Sequence, residues 1–145
     1  MSLPSQIVIS LDAMGGDHGP SVVVGGVREY VRLHGSEGLT FLLHGDEATI
    51  QAEIARLNLP NGLCEVRHTD KVVAMDEKPA QAMRRGKGSS LWNAIEAVKT
   101  GQAGAVVSAG NTGALMAIAK LVLRMSASAL ERPAIVAGWP TLKGT

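Results

Sequence analysis

Apolar residues along this chain come in short runs rich in β-branched side chains, and each run is closed by glycine or polar residues. Between the runs the apolar positions recur every three or four residues, the spacing of a helix with one buried face. Gln6 to Leu11 reads QIVISL and ends at Gly15-Gly16, which predicts a strand feeding a turn. Pro20 suits the first position of a helix whose Val23, Val27, Tyr30, Val31 and His34 share a face before Gly35 stops it.

The unit then repeats. Leu39 to Leu43, LTFLL, predicts a second strand, and Asp46 is placed to cap a helix with Ile50, Ile54 and Leu57 as its apolar stripe. Cys64 to His68 is a weaker strand, and Thr69 to Lys78 reads as a long polar loop. Pro79 opens a short helix through Arg85, and Gly86-Lys87-Gly88 breaks the chain. Ser89 or Ser90 then caps a helix burying Leu91, Ala94, Ile95 and Val98. Gly104 to Val107 is a further strand, and Gly113 to Met125 is apolar on almost every face, predicting a heavily buried central helix. Ala134 to Ala137 begins another strand with no helix after it.

Strands alternating with helices predict an α/β fold: a doubly wound, mainly parallel sheet flanked by helices, with residues 1–145 forming a single domain. Ligands of such sheets bind at the carboxyl ends of the strands. By position alone, three motifs fall there: LDAMGGDHGP at residues 11–20, His44-Gly45-Asp46, and Ser108 to Gly113.

Composition narrows this picture in three ways. The single Phe, single Tyr and two Trp leave the core to aliphatic residues and methionine, which suits buried parallel strands. The 14 Lys and Arg against 13 Asp and Glu give a net charge of +1, so no broad field gathers nucleic acid and any anion site is local. One cysteine, Cys64, cannot form an internal disulfide, and no secretory leader or metal-type Cys/His spacing is visible, so a reducing cytoplasm is the expected home. No apolar run approaches the roughly 18 residues of a membrane span.

Two segments are candidate anion sites. Ser108-Ala109-Gly110-Asn111-Thr112-Gly113 precedes a helix, where free amides and the helix dipole attract negative charge; equally, Asn111 or Thr112 can simply cap that helix. Arg84-Arg85-Gly86-Lys87-Gly88-Ser89-Ser90 is the one dense cationic cluster and also runs into a helix start, although such clusters are often solvated surface. The 11–20 stretch lacks both a P-loop lysine and the three-glycine dinucleotide spacing. There, Asp12 is expected to hold the turn by accepting amides and Asp17 to cap the helix at Pro20. His18 is the one group in that stretch able to exchange a proton near neutral pH. His34, His44 and His68 read as structural residues at helix and strand ends, and Cys64 as a small core residue.

Taken together, LDAMGGDHGP, KPAQAMRRGKGSSLWNAIEAVKTG and SAGNTGALMA resemble the bacterial phosphate acyltransferase (PlsX) family of phospholipid synthesis, over residues 7 to about 140. Members of that family are more than twice as long. The resemblance implies a fold like that of phosphotransacetylases and isocitrate dehydrogenases. It implies transfer of a fatty acyl group from acyl-[acyl-carrier protein] to inorganic phosphate, with no metal or organic cofactor. It further implies a homodimer in the cytoplasm, peripherally associated with the membrane, whose product a membrane glycerol-3-phosphate acyltransferase consumes. On this reading His18 assists a proton transfer, and Asp12, Gly15, Gly16, Asp17, Arg84, Lys87, Ser89, Ser90, Ser108, Asn111, Thr112 and Gly113 shape or line the phosphate and thioester cleft. Two alternatives stay open: an enzyme using acyl-coenzyme A, and a non-catalytic carrier-protein docking or dimerisation module.

Overall fold

A computed structural model describes residues 6–125. The strands are β1 (Ile7–Asp12), β2 (Leu39–Gly45), β3 (Cys64–His68) and β4 (Ala105–Ser108). The helices are α1 (Pro20–His34), α2 (Glu47–Arg56), α3 (Pro79–Arg85), α4 (Ser90–Lys99) and α5 (Thr112–Leu123). All pairings are parallel, in the order β3-β2-β1-β4. The chain thus steps outward from β1 to β3, then returns through α3 and α4 to the far side of β1. That reversal is the mark of a doubly wound sheet.

Alternation along each strand decides what each face buries. Ile9 and Leu11 of β1, with Phe41 and Leu43 of β2, point to the face covered by α1 and α2, where Val24, Val27 and Ile50 close the cluster. Val8 of β1 and Leu42 of β2 point the other way, onto Ala97, Val98 and Ala103 around α4. A third cluster joins α3, α4 and α5 through Ala82, Leu91, Ile95, Ala114, Ile118 and Val122. Loss of a fully buried member such as Leu43 or Ile95 would leave a cavity costing about 2–5 kcal/mol.

The central strands also bury a polar pair. Ser10 is fully buried and His44 nearly so, and Ser10 Oγ lies 3.0 Å from His44 Nε2, while His44 Nδ1 is buried without a partner. Burial, reinforced by the nearby Arg67 charge, pushes the His44 pKa down to about 4.

Three local expectations are corrected. Asp17 is exposed and does not cap α1; the cap position is Gly19, with no side-chain hydrogen bond, and Ser21 Oγ donates to the His18 carbonyl instead. The helix at Pro20 needs no acid there, because proline supplies its first φ and has no amide to satisfy. On α1 the buried side is centred on Val24 and Val27, and Tyr30 is 42% exposed. The helix after Ser108 is not buried all round: Ala114, Ile118 and Val122 are buried, whereas Leu121 and Leu123 are exposed. The strand expected at Ala134 to Ala137 lies outside the described residues.

His44 makes a pH prediction. Its folded pKa is below the ordinary 6.5, so protonation opposes folding, and its contribution is complete above pH 6.5 and lost as the pH falls toward 4. Thermal melts from pH 7 to 5 should show a falling midpoint, and His44→Gln should flatten that slope. An equal slope in the variant would remove His44 as the cause.

Candidate functional site

The reversal of strand order sits between β1 and β4, and a doubly wound sheet opens a crevice at the carboxyl ends of such a strand pair. Register places Asp12, the last residue of β1, beside Ser108, the last of β4, with His44 of β2 on the other flank. Ser108 Oγ donates to Asp12 Oδ2 at 2.8 Å and accepts from the Gly110 amide at 3.0 Å. Asp12 is 3% exposed, and its other oxygen, Oδ1, is buried without a partner among the described residues. The acid therefore ties the two strand ends together and does not cap its own turn, where the Gly15 amide reaches the Asp12 main-chain carbonyl at 3.3 Å.

The paired glycines fit this junction. A methyl group on Gly15 would stand 2.7 Å from Asp12 Oδ2 and 2.9 Å from both Ser108 Oγ and the Gly110 amide nitrogen, so only glycine lets the two loops meet. Gly16 has a φ of 91° and sits over the Ala109 carbonyl. Gly15, Gly16, Asp17, His18, Gly19, Val22 and Ala109 line a small open cavity of about 200 Å³ there. The two segments at residues 11–20 and 108–113 thus form one site.

α5 begins in this crevice. Asn111 caps it, its Oδ1 accepting from the Ala114 amide at 3.0 Å, which leaves the Thr112 and Gly113 amides without an acceptor among the described residues. The other side of the same side chain holds the long loop: Asn111 Nδ2 lies 3.2, 3.1 and 2.7 Å from the carbonyls of Ala74, Met75 and Glu77. Sequence reasoning gave Asn111 a cap or a ligand role and missed this clamp. The loop's partner is set by tertiary placement, 34 to 37 residues away, which no local pattern carries.

The cationic cluster lands elsewhere. Arg84 and Arg85 are exposed in the last turn of α3, where positive charge suits the free carbonyls, and Arg84 Nε donates to the Ala80 carbonyl at 3.2 Å. Ser89 and Ser90 are fully buried. Ser89 Oγ caps α4 by accepting from the Trp92 amide, and the Ser90 amide donates to the Lys71 carbonyl at 2.9 Å. The start of α4, expected to be the stronger anion site, is closed by the protein's own groups. It lies beside the end of β3, since Thr69 Oγ1 donates to the Gly88 carbonyl at 2.7 Å. β2 separates β3 from β1, so this end of the sheet is not the β1–β4 crevice. Lys87 is exposed, its carbonyl accepting from Lys71 Nζ at 2.9 Å, and its own ammonium has no partner among the described residues.

Elsewhere, Asp46, His68 and Asp70 bring donor atoms within 4.8 Å of one another, but their bonds are structural: Asp46 caps α2 at Thr49, and His68 Nδ1 accepts from the Glu47 amide. Cys64 is half-buried, and burial raises its thiol pKa to about 11, which suits a core residue and not a thiolate nucleophile.

Fold and site together define a doubly wound α/β protein with a glycine-lined crevice at its switch point. Comparison with known proteins adds the family. A model described as "Fatty acid synthesis protein" matches residues 7–145, and the chain belongs to that family. It is 63% identical over 142 residues to the phosphate acyltransferase of Caulobacter vibrioides, covering 98% of this chain and 39% of that protein. It is 58% identical over 142 residues to the phosphate acyltransferase of Phenylobacterium zucineum, covering 98% and 40%. The match to the Azorhizobium caulinodans phosphate acyltransferase is 54% over 145 residues, covering 99% and 39%. The chain therefore spans about two fifths of the length of these relatives. No helix among the described residues is long and apolar enough to cross a membrane.

Asn111 offers a paired test. Asn111→Ala removes both the cap and the clamp and should cost about 2 kcal/mol. Asn111→Asp keeps a capping oxygen but sets a carboxylate against three carbonyls, so residues 74–77 should exchange amide hydrogens faster while α5 stays protected. Protection of that loop unchanged from the parent protein in both variants would refute the clamp.

Proposed function

We propose that the crevice between β1 and β4 holds inorganic phosphate for attack on a fatty acyl thioester, the donor being acyl-[acyl-carrier protein], in a full-length enzyme of which this chain is one α/β domain. The observation that carries the reading is the first turn of α5, whose Thr112 and Gly113 amides have no acceptor among the described residues and which follows directly on the 108–110 loop packed against Gly15 and Gly16, in a chain whose relatives are phosphate acyltransferases. The Thr112 and Gly113 amides are suited to phosphate oxygens, because amides at a helix start carry partial positive charge and reorganise little on binding. Gly15 and Gly16 keep the opposite wall free of side chains.

Chemically, a phosphate oxygen adds to the thioester carbonyl carbon. The new C–O bond forms, the C–S bond breaks, and the proton of hydrogen phosphate passes to the departing sulfur, giving acyl phosphate and free thiol. No enzyme nucleophile is needed, so catalysis rests on position and charge. His18, exposed on the rim of the glycine-lined cavity, is the group suited to carry that proton. Asp12 and Ser108 hold the two loops in register, and Asp17 lies on the rim without a bond of its own among the described residues. Ser89 and Ser90 support the loop that reaches the crevice. Arg84 and Lys87 act as a more distant positive field, Lys87 being the less constrained of the two. The same reading takes the enzyme as a cytoplasmic homodimer at the membrane surface, handing acyl phosphate to a membrane glycerol-3-phosphate acyltransferase.

The test is phosphate-dependent loss of thioester with acyl-carrier-protein and coenzyme A donors offered in parallel to the full-length enzyme. Consumption of the carrier-protein donor is expected, and turnover of the coenzyme A ester alone would overturn the donor assignment. Thr112→Pro, at the first helical position where proline is accommodated, takes away one of the two amides; the KM for phosphate should rise about tenfold or more, from the loss of a charge-assisted hydrogen bond. His18→Asn should lower kcat about 100-fold while changing the KM for phosphate little. An unchanged kcat would remove His18 from the chemistry.

A further inference from the structure

α1 carries a further apolar stripe on the flank of its core face, with Tyr30 lying edge-on to the core residue Phe41. Val22 is 54% exposed, Tyr30 42% and Leu33 59%, and with Gly26 they recur at helical spacing along about 16 Å of the helix. Beside them on the sheet, Val107 of β4 and Ile7 of β1 are each 56% exposed. Between α1 and β4 runs a groove of about 430 Å³, lined by Ile9, Val22, Gly26, Tyr30, Val107 and Ala109 among others. α1 and α2 cover β1 and β2 on this face, and among the described residues no helix covers β4 there, nor does any strand pair with its outer edge.

A parallel sheet is stable only with both faces covered, so this face calls for a partner. Gly26 says how close that partner comes. A glycine inside a helix costs roughly 0.5–1 kcal/mol relative to alanine. Here a methyl group would meet nothing within 4 Å, so no neighbour among the described residues requires its absence. A missing side chain on an open apolar stripe is what lets a second backbone lie against the helix. The stripe runs about three turns of α1 beside a strand edge left open among the described residues, which fits a helix lying beside α1 better than a small ligand. The relatives carry about three fifths of their length outside the matched portion, ample polypeptide to supply it.

We infer that the α1–β4 face is an internal interface of the family's full-length polypeptide. Its occupant is an amphipathic helix from the part of that polypeptide beyond the matched region, seated along Val22, Gly26, Tyr30 and Leu33 and over Val107. Val22 and Ala109 border both this groove and the glycine-lined cavity, so the same helix forms a wall of the crevice. That last step rests on the proposed function, whereas the interface itself does not.

Thiol reactivity tests it without reference to activity. Gly26→Cys is made in this chain, with Arg28→Cys, off the stripe, as the exposed control; Cys64, half-buried with a raised pKa, supplies only a slow background. Cysteines are placed at the two matching positions of the full-length Caulobacter vibrioides relative. In this chain both should alkylate at similar rates. In the full-length relative the position matching Gly26 should react at least about tenfold more slowly, while the one matching Arg28 is unchanged. Equal rates at the Gly26 position in the two proteins overturn the inference. So does protection in this chain alone that grows with protein concentration, which assigns the face to a second copy, or protection by added palmitate, which assigns it to an acyl chain. Loss of phosphate-dependent turnover in a relative that is protected at that position would count against the proposed function alone.

Discussion

The arrangement depends on one pairing: β1 hydrogen-bonded in parallel to β4, with the pair ending in the Asp12–Ser108 bond. Among the described residues β1 is the one strand with neighbours from both halves of the topology, so its end is where the two windings separate. Two loops of unrelated sequence are thereby forced to within contact distance, and the chemistry of both follows from that constraint. Gly15 has no room for a side chain, Ser108 spends its hydroxyl on the junction, and the start of α5 is delivered beside the glycine turn. A buried carboxylate with one unpartnered oxygen is costly in a sheet otherwise filled with Val, Leu and Ile, and such costs are characteristically concentrated where a fold builds a site.

The clamp at Asn111 couples this junction to the rest of the carboxyl-end surface. One amide group holds three carbonyls of the 74–77 loop while its oxygen caps α5, so loop and helix start are fixed by the same side chain. The loop is in turn tied at its other end, through Thr69 and Lys71, to the carbonyls of Gly88 and Lys87. Basic residues that do not touch the crevice are thus held at a fixed distance from it.

Much of the fold was legible in the sequence because its signals are local. Pro20, Asp46 and Pro79 each open the helix expected of them, Gly35 closes α1, and the β-branched runs became the strands. Asn111 and Ser89 cap α5 and α4, settling each choice between neighbouring residues. The segments forming the site were legible by position, but their internal roles were not. Whether Asp12 bonds its own turn or Ser108, 96 residues away, depends on strand order, which periodicity does not encode. The same limit misplaced the cationic cluster: Ser89 and Ser90 look like an anion-binding start until the Lys71 carbonyl is seen to occupy the Ser90 amide.

The exposed side of α1 carries the same lesson in energetic form. Periodicity picked out Val23, Val27 and Val31, which do pack in the core, but it also placed Tyr30 there, which with Val22 and Leu33 belongs to a second, exposed stripe on the flank of that face. A helix with a single apolar stripe needs one partner surface, and one with two needs two. The first stripe is buried in the cluster around Leu43 and Ile50, while the second lies open beside β4. Since a residue at Val22 touches both the open groove and the glycine-lined cavity, whatever settles on the second stripe also sets the shape of the crevice. Completion of the sheet and completion of the site are, in this fold, the same event.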